Sequence, residues 1–243
     1  MQLSQPIGLN IESYQNDFKN TNMSAVLSKN IFDFLKKLAK NNNRDWFNEH
    51  KEEYLEHQQE FQAFMEDLIS ELGKSDENIA KLDAKKSLQR IYRDIRFSKD
   101  KTPYKIHLGA SLGMGKGGEN AGHYLHIEPG KSFVASGIYM PEASLLKEIR
   151  KEINAFPEEF KKAISHKDFK KYFGELDREH ELKKIPQGYE KDNPMADFLR
   201  LKSFVGLHRL SDTDVLEKDA VKKIAGIMKC ALPLNEFLNT PFR

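Results

Sequence analysis

Apolar residues recur every three or four positions near both ends of the chain and every second position in its middle. Ile31, Phe34, Leu35 and Leu38 share one helical face, so residues 29–40 are expected to form a short amphipathic helix. Asn41-Asn42-Asn43 breaks it, because Asn favours turns and helix caps. Asn43 can cap a second, longer helix starting near Arg44, with Phe47, Tyr54, Phe61, Met65, Leu68 and Leu72 as its buried stripe.

From Leu88 to Phe97 the period shortens: Ile91, Ile95 and Phe97 alternate with polar residues, favouring an extended segment, although a helix also fits. Ile106–Gly113, His123–Glu128 and Phe133–Met140 read as three strands whose short connections require antiparallel neighbours. Helical spacing returns at Leu145, Leu146, Ile149 and Ile153, from Pro157 to Ile164, and over Phe169–Phe173. Residues 185–194 are punctuated like an irregular loop, Met195–Leu199 reads as a helical turn, and Leu201–Leu210 as a further strand. Asp212–Leu238 reads as helix interrupted near Pro233. The fold class is therefore α+β: a central antiparallel sheet, with a meander at about 105–140 plus flanking strands, packed by N-terminal and C-terminal helices. Residues 1–22, rich in Asn, Gln and Ser, have no sustained period. They are read as an N-terminal extension to one α+β domain over 23–243.

Composition narrows the class. Apolar residues at 39% and charged residues at 31% describe an ordered globular protein. No run approaches the roughly 18–20 apolar residues of a membrane helix, and the polar N-terminus lacks a signal peptide's apolar core. A cytoplasmic protein with no membrane partner is expected. The single cysteine, Cys230, excludes an internal disulfide framework and a cysteine-built zinc site.

A net charge of only +2 argues against a dedicated nucleic-acid binder, yet residues 90–105 hold six basic side chains against two acids. The positive charge is thus local. Guanidinium forks match phosphate and carboxylate bidentately, which makes Arg90, Arg93, Asp94, Arg96, Lys99, Lys101 and Lys105 the candidate ligand-binding residues. Asp94 would orient an arginine, and Lys202 would edge the same groove. In an extended chain Arg90, Tyr92, Asp94 and Arg96 share one face, while Ile91, Arg93, Ile95 and Phe97 share the other. The competing reading is that these arginines pair with the protein's own acids and tie sheet to helices. The expected partner is an anionic small molecule. The alternative is a non-catalytic module for a nucleic-acid end or an acidic protein surface.

The meander carries a second group. Tyr124, His126 and Glu128 point the same way, with Tyr139 or Ser136 on the next strand as possible neighbours. His126 and Glu128 are the acid/base candidates; with His107 as a third ligand they could instead hold a metal. No His-Glu-x-x-His or comparable spacing exists, and a hydrogen-bonded histidine on a half-buried sheet is the default, so no metal ligand and no cofactor are assigned. Gly113-Met-Gly-Lys-Gly-Gly joins two strands, unlike a phosphate loop that leads into a helix, and reads as a flexible hairpin loop. Ser111 and Ser136 lack an elbow motif. Trp46 and Phe47 read as aromatic anchors packing their helix onto the sheet, the alternative being a stacking surface for a base.

Five segments in order carry a resemblance: Asn42–Phe47, Arg90–Lys105, His126–Gly130, Gly137–Pro141 and Leu199–Phe204. Over these the chain resembles the conserved hypothetical proteins catalogued as domain of unknown function 2461, from about residue 29 to near the C-terminus. The resemblance implies no established activity, substrate, cofactor or catalytic residue. Residues 1–22 lie outside it.

Overall fold

The computed structural model describes residues 24–115 and 119–242. The expected extension over 1–22 and the centre of the glycine-rich connection lie outside the described residues.

Helix α1 (Lys29–Lys40) buries Ile31, Phe34, Leu35 and Leu38, the face its spacing predicts. The Asn43 side chain accepts from the Trp46 N–H at 3.0 Å and starts α2 (Arg44–Glu49). The long helix expected from Arg44 is interrupted after one and a half turns. His50 leaves helical geometry, its N–H closes on the carbonyls of Trp46 and Phe47, and its ring stacks on Trp46 at 4.0 Å. α3 (Lys51–Gly73) then runs for 23 residues, about 35 Å at helical rise, and buries Tyr54, Phe61, Met65, Leu68 and Leu72. Two short helices, α4 (Glu77–Ala80) and α5 (Ala84–Ser87), are each capped by an aspartate side chain, Asp76 and Asp83.

The sheet follows with β1 (Leu108–Leu112), β2 (Gly122–Ile127) and β3 (Phe133–Ile138). After α6 (Ala143–Ala155), α7 (Pro157–Ser165), α8 (Lys167–Phe173) and α9 (Ala196–Leu199), the chain returns as β4 (Phe204–Arg209). It closes with α10 (Asp212–Leu216), α11 (Ala220–Lys229) and α12 (Leu232–Asn239). The strands lie in the order β1-β2-β3-β4, every neighbour antiparallel, so the α+β reading holds. Pro233 sits in the first turn of α12, where its missing N–H leaves no bond unmade, and the interruption expected near it falls at Cys230–Ala231; another break, at 217–219, separates α10 from α11.

The sheet has two unlike faces. Leu108, Ala110, Leu112, Leu125, Ile127, Val134 and Ile138 are buried on the face covered by α3, α11 and α12. On the opposite face Ser111, Tyr124, Phe133 and Ala135 are half-buried, and Leu207 and Arg209 are exposed. An antiparallel sheet tolerates one wet face, which is where its polar side chains collect.

The segment from Leu88 to Phe97 is extended but is not a regular strand. It runs beside the free edge of β1 as a ribbon, with bridges Leu88–Ala110 and Tyr92–Tyr104 and an Arg93 N–H that donates to Pro103 at 2.9 Å. Alternation holds while the ribbon lasts: Ile91 is buried and Tyr92 exposed. It fails at Phe97, which is 96% exposed, because the chain turns away after Ile95. That turn is held by Asp94, which accepts from the Arg96 N–H, and by Asp100, which accepts from the Thr102 N–H.

Candidate functional site

The ribbon is fastened to the first helices by one amide. Asn42 Nδ2 donates to the Tyr104 carbonyl at 2.9 Å, and Asn42 Oδ1 accepts from the Tyr104 N–H at 3.0 Å. Phe47 of α2 stacks on the Tyr104 ring at 4.0 Å. Phe47 is therefore an anchor, while Trp46 leans on His50. Between α2 and the ribbon lies a cleft of about 370 Å³, lined by Arg44, Asn48, Tyr92, Arg93, Ile95 and Tyr104. Arg44, Asn48 and the two tyrosines were not among the predicted ligand-binding residues. The cations of the ribbon are conspicuous in the sequence, whereas their partners in the cleft come from the first helices and from the uncharged positions between the cations.

The predicted cations are distributed unequally. Arg93 faces the cleft and uses Nη1 to hold Asp100 at 2.6 Å, the Thr102 carbonyl at 3.1 Å and the Thr102 hydroxyl. Arg96 grips Asp94 with Nε at 3.0 Å and Nη2 at 2.6 Å, and these bonds hold the Asp94 carboxyl down at about 2. Asp94 and Arg96 are thus paired with each other, and neither lines the cleft. Lys101 donates to the Ile95 carbonyl and Lys105 to Gln89, at 2.9 and 2.8 Å. Burial, with Arg90 nearby, lowers the Lys105 pKa. Arg90 and Lys99 are exposed and have no hydrogen-bonding partner among the described residues. Lys202 lies elsewhere. It precedes β4, at the sheet edge opposite the ribbon, and does not border the same groove.

A second cluster occupies the wet face of the sheet. The Tyr124 hydroxyl lies 3.3 Å from His126 Nδ1, and His126 Nε2 lies 3.0 Å from Glu128 Oε2. Lys131 pairs with the other Glu128 oxygen at 3.1 Å. Antiparallel register sets Gly109 opposite His126 and Leu108 opposite Ile127, and His107, just before β1, lies near Glu128, just after β2. The His107 and His126 rings are 4.1 Å apart. One ligand atom from each of His107, His126 and Glu128 lies within 4.8 Å of the others. Burial lowers the His107 pKa to about 4, with His126 and Lys105 adding to the effect, and burial lowers that of His126 against the pull of Glu128. Burial alone would raise the Glu128 carboxyl, but bonds from His126 and Lys131 outweigh it and hold it below its ordinary value. Burial, with Glu128 nearby, pushes the Tyr124 phenol up to about 12. Tyr139 and Ser136 do not join this group: the Tyr139 hydroxyl meets His180 Nε2 at 3.2 Å, and Ser136 faces the other way.

Ser136 belongs to a buried row on the helix-covered face. Its hydroxyl lies 2.7 Å from His123 Nδ1, and Asn235 of α12 approaches His123 Nε2 at 3.4 Å. The order serine, histidine, amide resembles a nucleophile relay, yet all three side chains are buried under the helices. It acts as a clasp between β2, β3 and α12.

A helix-backed antiparallel sheet with a basic cleft beside its edge and a histidine–carboxylate cluster on its wet face defines an α+β protein with two candidate sites and no assigned reaction. The model of the family described as Conserved hypothetical protein (DUF2461) matches residues 30–237, and the chain belongs to that family. No curated protein and no solved structure matches it. Among the described residues no helix is long and apolar enough to cross a membrane.

Proposed function

We propose that this protein binds a phosphate- or carboxylate-bearing small molecule in the cleft between α2 and the ribbon. One observation carries the reading: Arg44 and Arg93, from distant parts of the chain, converge on one cavity with N–H donors to spare. Arg44 has no acidic partner among the described residues, and Arg93 makes its internal bonds through Nη1 alone, leaving Nε and Nη2 uncommitted. Asp100 offsets the charge of Arg93, so Arg44 supplies the net attraction. Each charge-assisted bond to the ligand is worth about 1.5–3 kcal/mol. Tyr92 and Asn48 add neutral polar groups that fix orientation. Calorimetric titration with pyrophosphate and with citrate tests the reading. Wild type should bind at least one of them, and Arg44→Gln should weaken that binding tenfold or more, about 1.4 kcal/mol. Absence of binding to both, or equal affinity in the variant, overturns it.

A second reading, a surface for single-stranded nucleic acid, is favoured by Phe97. This ring is 96% exposed with the Arg96 guanidinium 5.9 Å from its centre, and the exposed Arg90 and Lys99 lie on the same segment. Base stacking on such a ring is worth about 1–3 kcal/mol. Under this reading Phe97→Ala weakens oligonucleotide binding, and affinity falls linearly on a log–log plot against salt. A small molecule held in the cleft is indifferent to Phe97.

A further inference from the structure

We propose that His107, His126 and Glu128 form a binding site for one divalent transition-metal ion on the wet face of the sheet. The site is separate from the Arg44–Arg93 cleft and does not depend on it. Two imidazoles and one carboxylate are the donor set of open zinc and non-haem iron sites, in which three protein ligands leave positions for water or substrate. Metal–nitrogen and metal–oxygen bonds of about 2.0–2.2 Å put tetrahedral donors roughly 3.3 Å apart. The three ligand atoms already lie within 4.8 Å of one another, so small side-chain rotations bring them to an ion.

The surroundings are those of a held ligand set and not of a chance surface pairing. His126 is only 9% exposed and its ring is stacked on Phe133 at 4.6 Å. Its remote nitrogen, Nδ1, meets the Tyr124 hydroxyl at 3.3 Å, the outer partner that fixes which nitrogen faces the ion. Tyr124 reaches that position because residue 109 is glycine: a Cβ there would come within 2.5 Å of the hydroxyl. The Glu128 backbone is fixed by Ser132, whose hydroxyl accepts from the Glu128 N–H at 3.1 Å and donates to its carbonyl at 2.9 Å. Lys131 occupies Glu128 Oε1, leaving Oε2, the oxygen beside His126, to bind the ion. When the metal enters, it replaces the His126–Glu128 hydrogen bond, and the ring proton moves to Nδ1, where the Tyr124 oxygen accepts it. Lys131 and Lys105 near this cluster favour an anion at the open coordination positions.

The test uses the full chain, stripped with a chelator and titrated with cobalt(II) and zinc(II). One equivalent of cobalt should develop the visible d–d bands of a four- or five-coordinate site, and zinc should displace it and raise the melting temperature. His107→Asn and Glu128→Gln should each weaken cobalt binding about 100-fold or more, and Tyr124→Phe about 10- to 100-fold, with unchanged circular dichroism. Arg44→Gln should leave metal affinity unaltered, so that failure of the cleft and failure of this site are read separately. The proposal is overturned if cobalt gives only the weak octahedral spectrum of the free ion and zinc gives no thermal stabilisation. It is equally overturned if His107→Asn and Glu128→Gln bind cobalt as tightly as wild type.

Discussion

Arg93 and Arg96 are close in sequence and carry the same side chain, yet they do different things. Arg96 is closed on Asp94 and stands 77% exposed outside the cleft lining, whereas Arg93 lines the cleft with half its fork free. Arg96→Gln should therefore leave affinity for a cleft ligand within about twofold, since exposed ion pairs contribute little. A tenfold loss measured by calorimetry would move the ligand onto the turn. His123 yields a second prediction. Burial lowers its pKa from 6.5 to about 4, with Asp76 pulling the other way. The unfolded chain takes up this proton below about pH 6.5 and the folded protein only near pH 4. Stability therefore decreases as pH falls through that window, by up to about 1.4 kcal/mol per unit. Urea midpoints of wild type and His123→Gln between pH 7 and 4.5 should differ in slope by about one proton; parallel slopes would contradict it. At this scale the residue types were readable from the sequence but their partners were not. Alternation placed Tyr124, His126 and Glu128 on one face, while nothing local indicated that Ser136 turns to His123.

Elements were legible where a periodic stripe ran uninterrupted. α1, the three meander strands and α6 follow their apolar spacing because burial of one face is what holds them. The break at His50 was hidden, since Phe47 and Tyr54 fit one helix on either side of it and nothing in the spacing marks the stacking of the His50 ring on Trp46 that accompanies it. The ribbon was half legible: its alternation is real, but its end at Ile95 is set by two aspartate-held turns. Asn43→Ala should cost about 1 kcal/mol by removing the cap of α2, as measured by urea denaturation, with Arg44 losing its fixed position. Gly137 is under a tighter constraint. It has φ +128, and a Cβ would fall 1.9 Å from the Phe204 carbonyl oxygen across the β3–β4 pair. Gly137→Ala should destabilise by about 3 kcal/mol or more; a change below about 0.5 kcal/mol would show that β4 can shift to make room.

In the whole molecule, distant segments meet at two places. Asn42 clamps Tyr104 and so assembles the cleft from the first helices and the ribbon, while the β1–β2 register carries His107 to His126 and Glu128. Sequence spacing cannot report such meetings: Arg44 reaches the ribbon only through the fold, and Lys202, also a cation, lies by β4 at the far edge of the sheet. The α+β class was legible, because contiguous short-linked strands between helical blocks leave few other arrangements. Helices cover one face of the sheet and leave the other partly open, and the polar cluster lies there. The most direct measurement is a pyrophosphate titration followed by the amide resonances of the isotope-labelled protein. Shifts confined to residues 44–48, 92–95 and 104, absent in Arg44→Gln, are expected; shifts spread over the surface lysines, or unchanged by that substitution, would contradict the cleft.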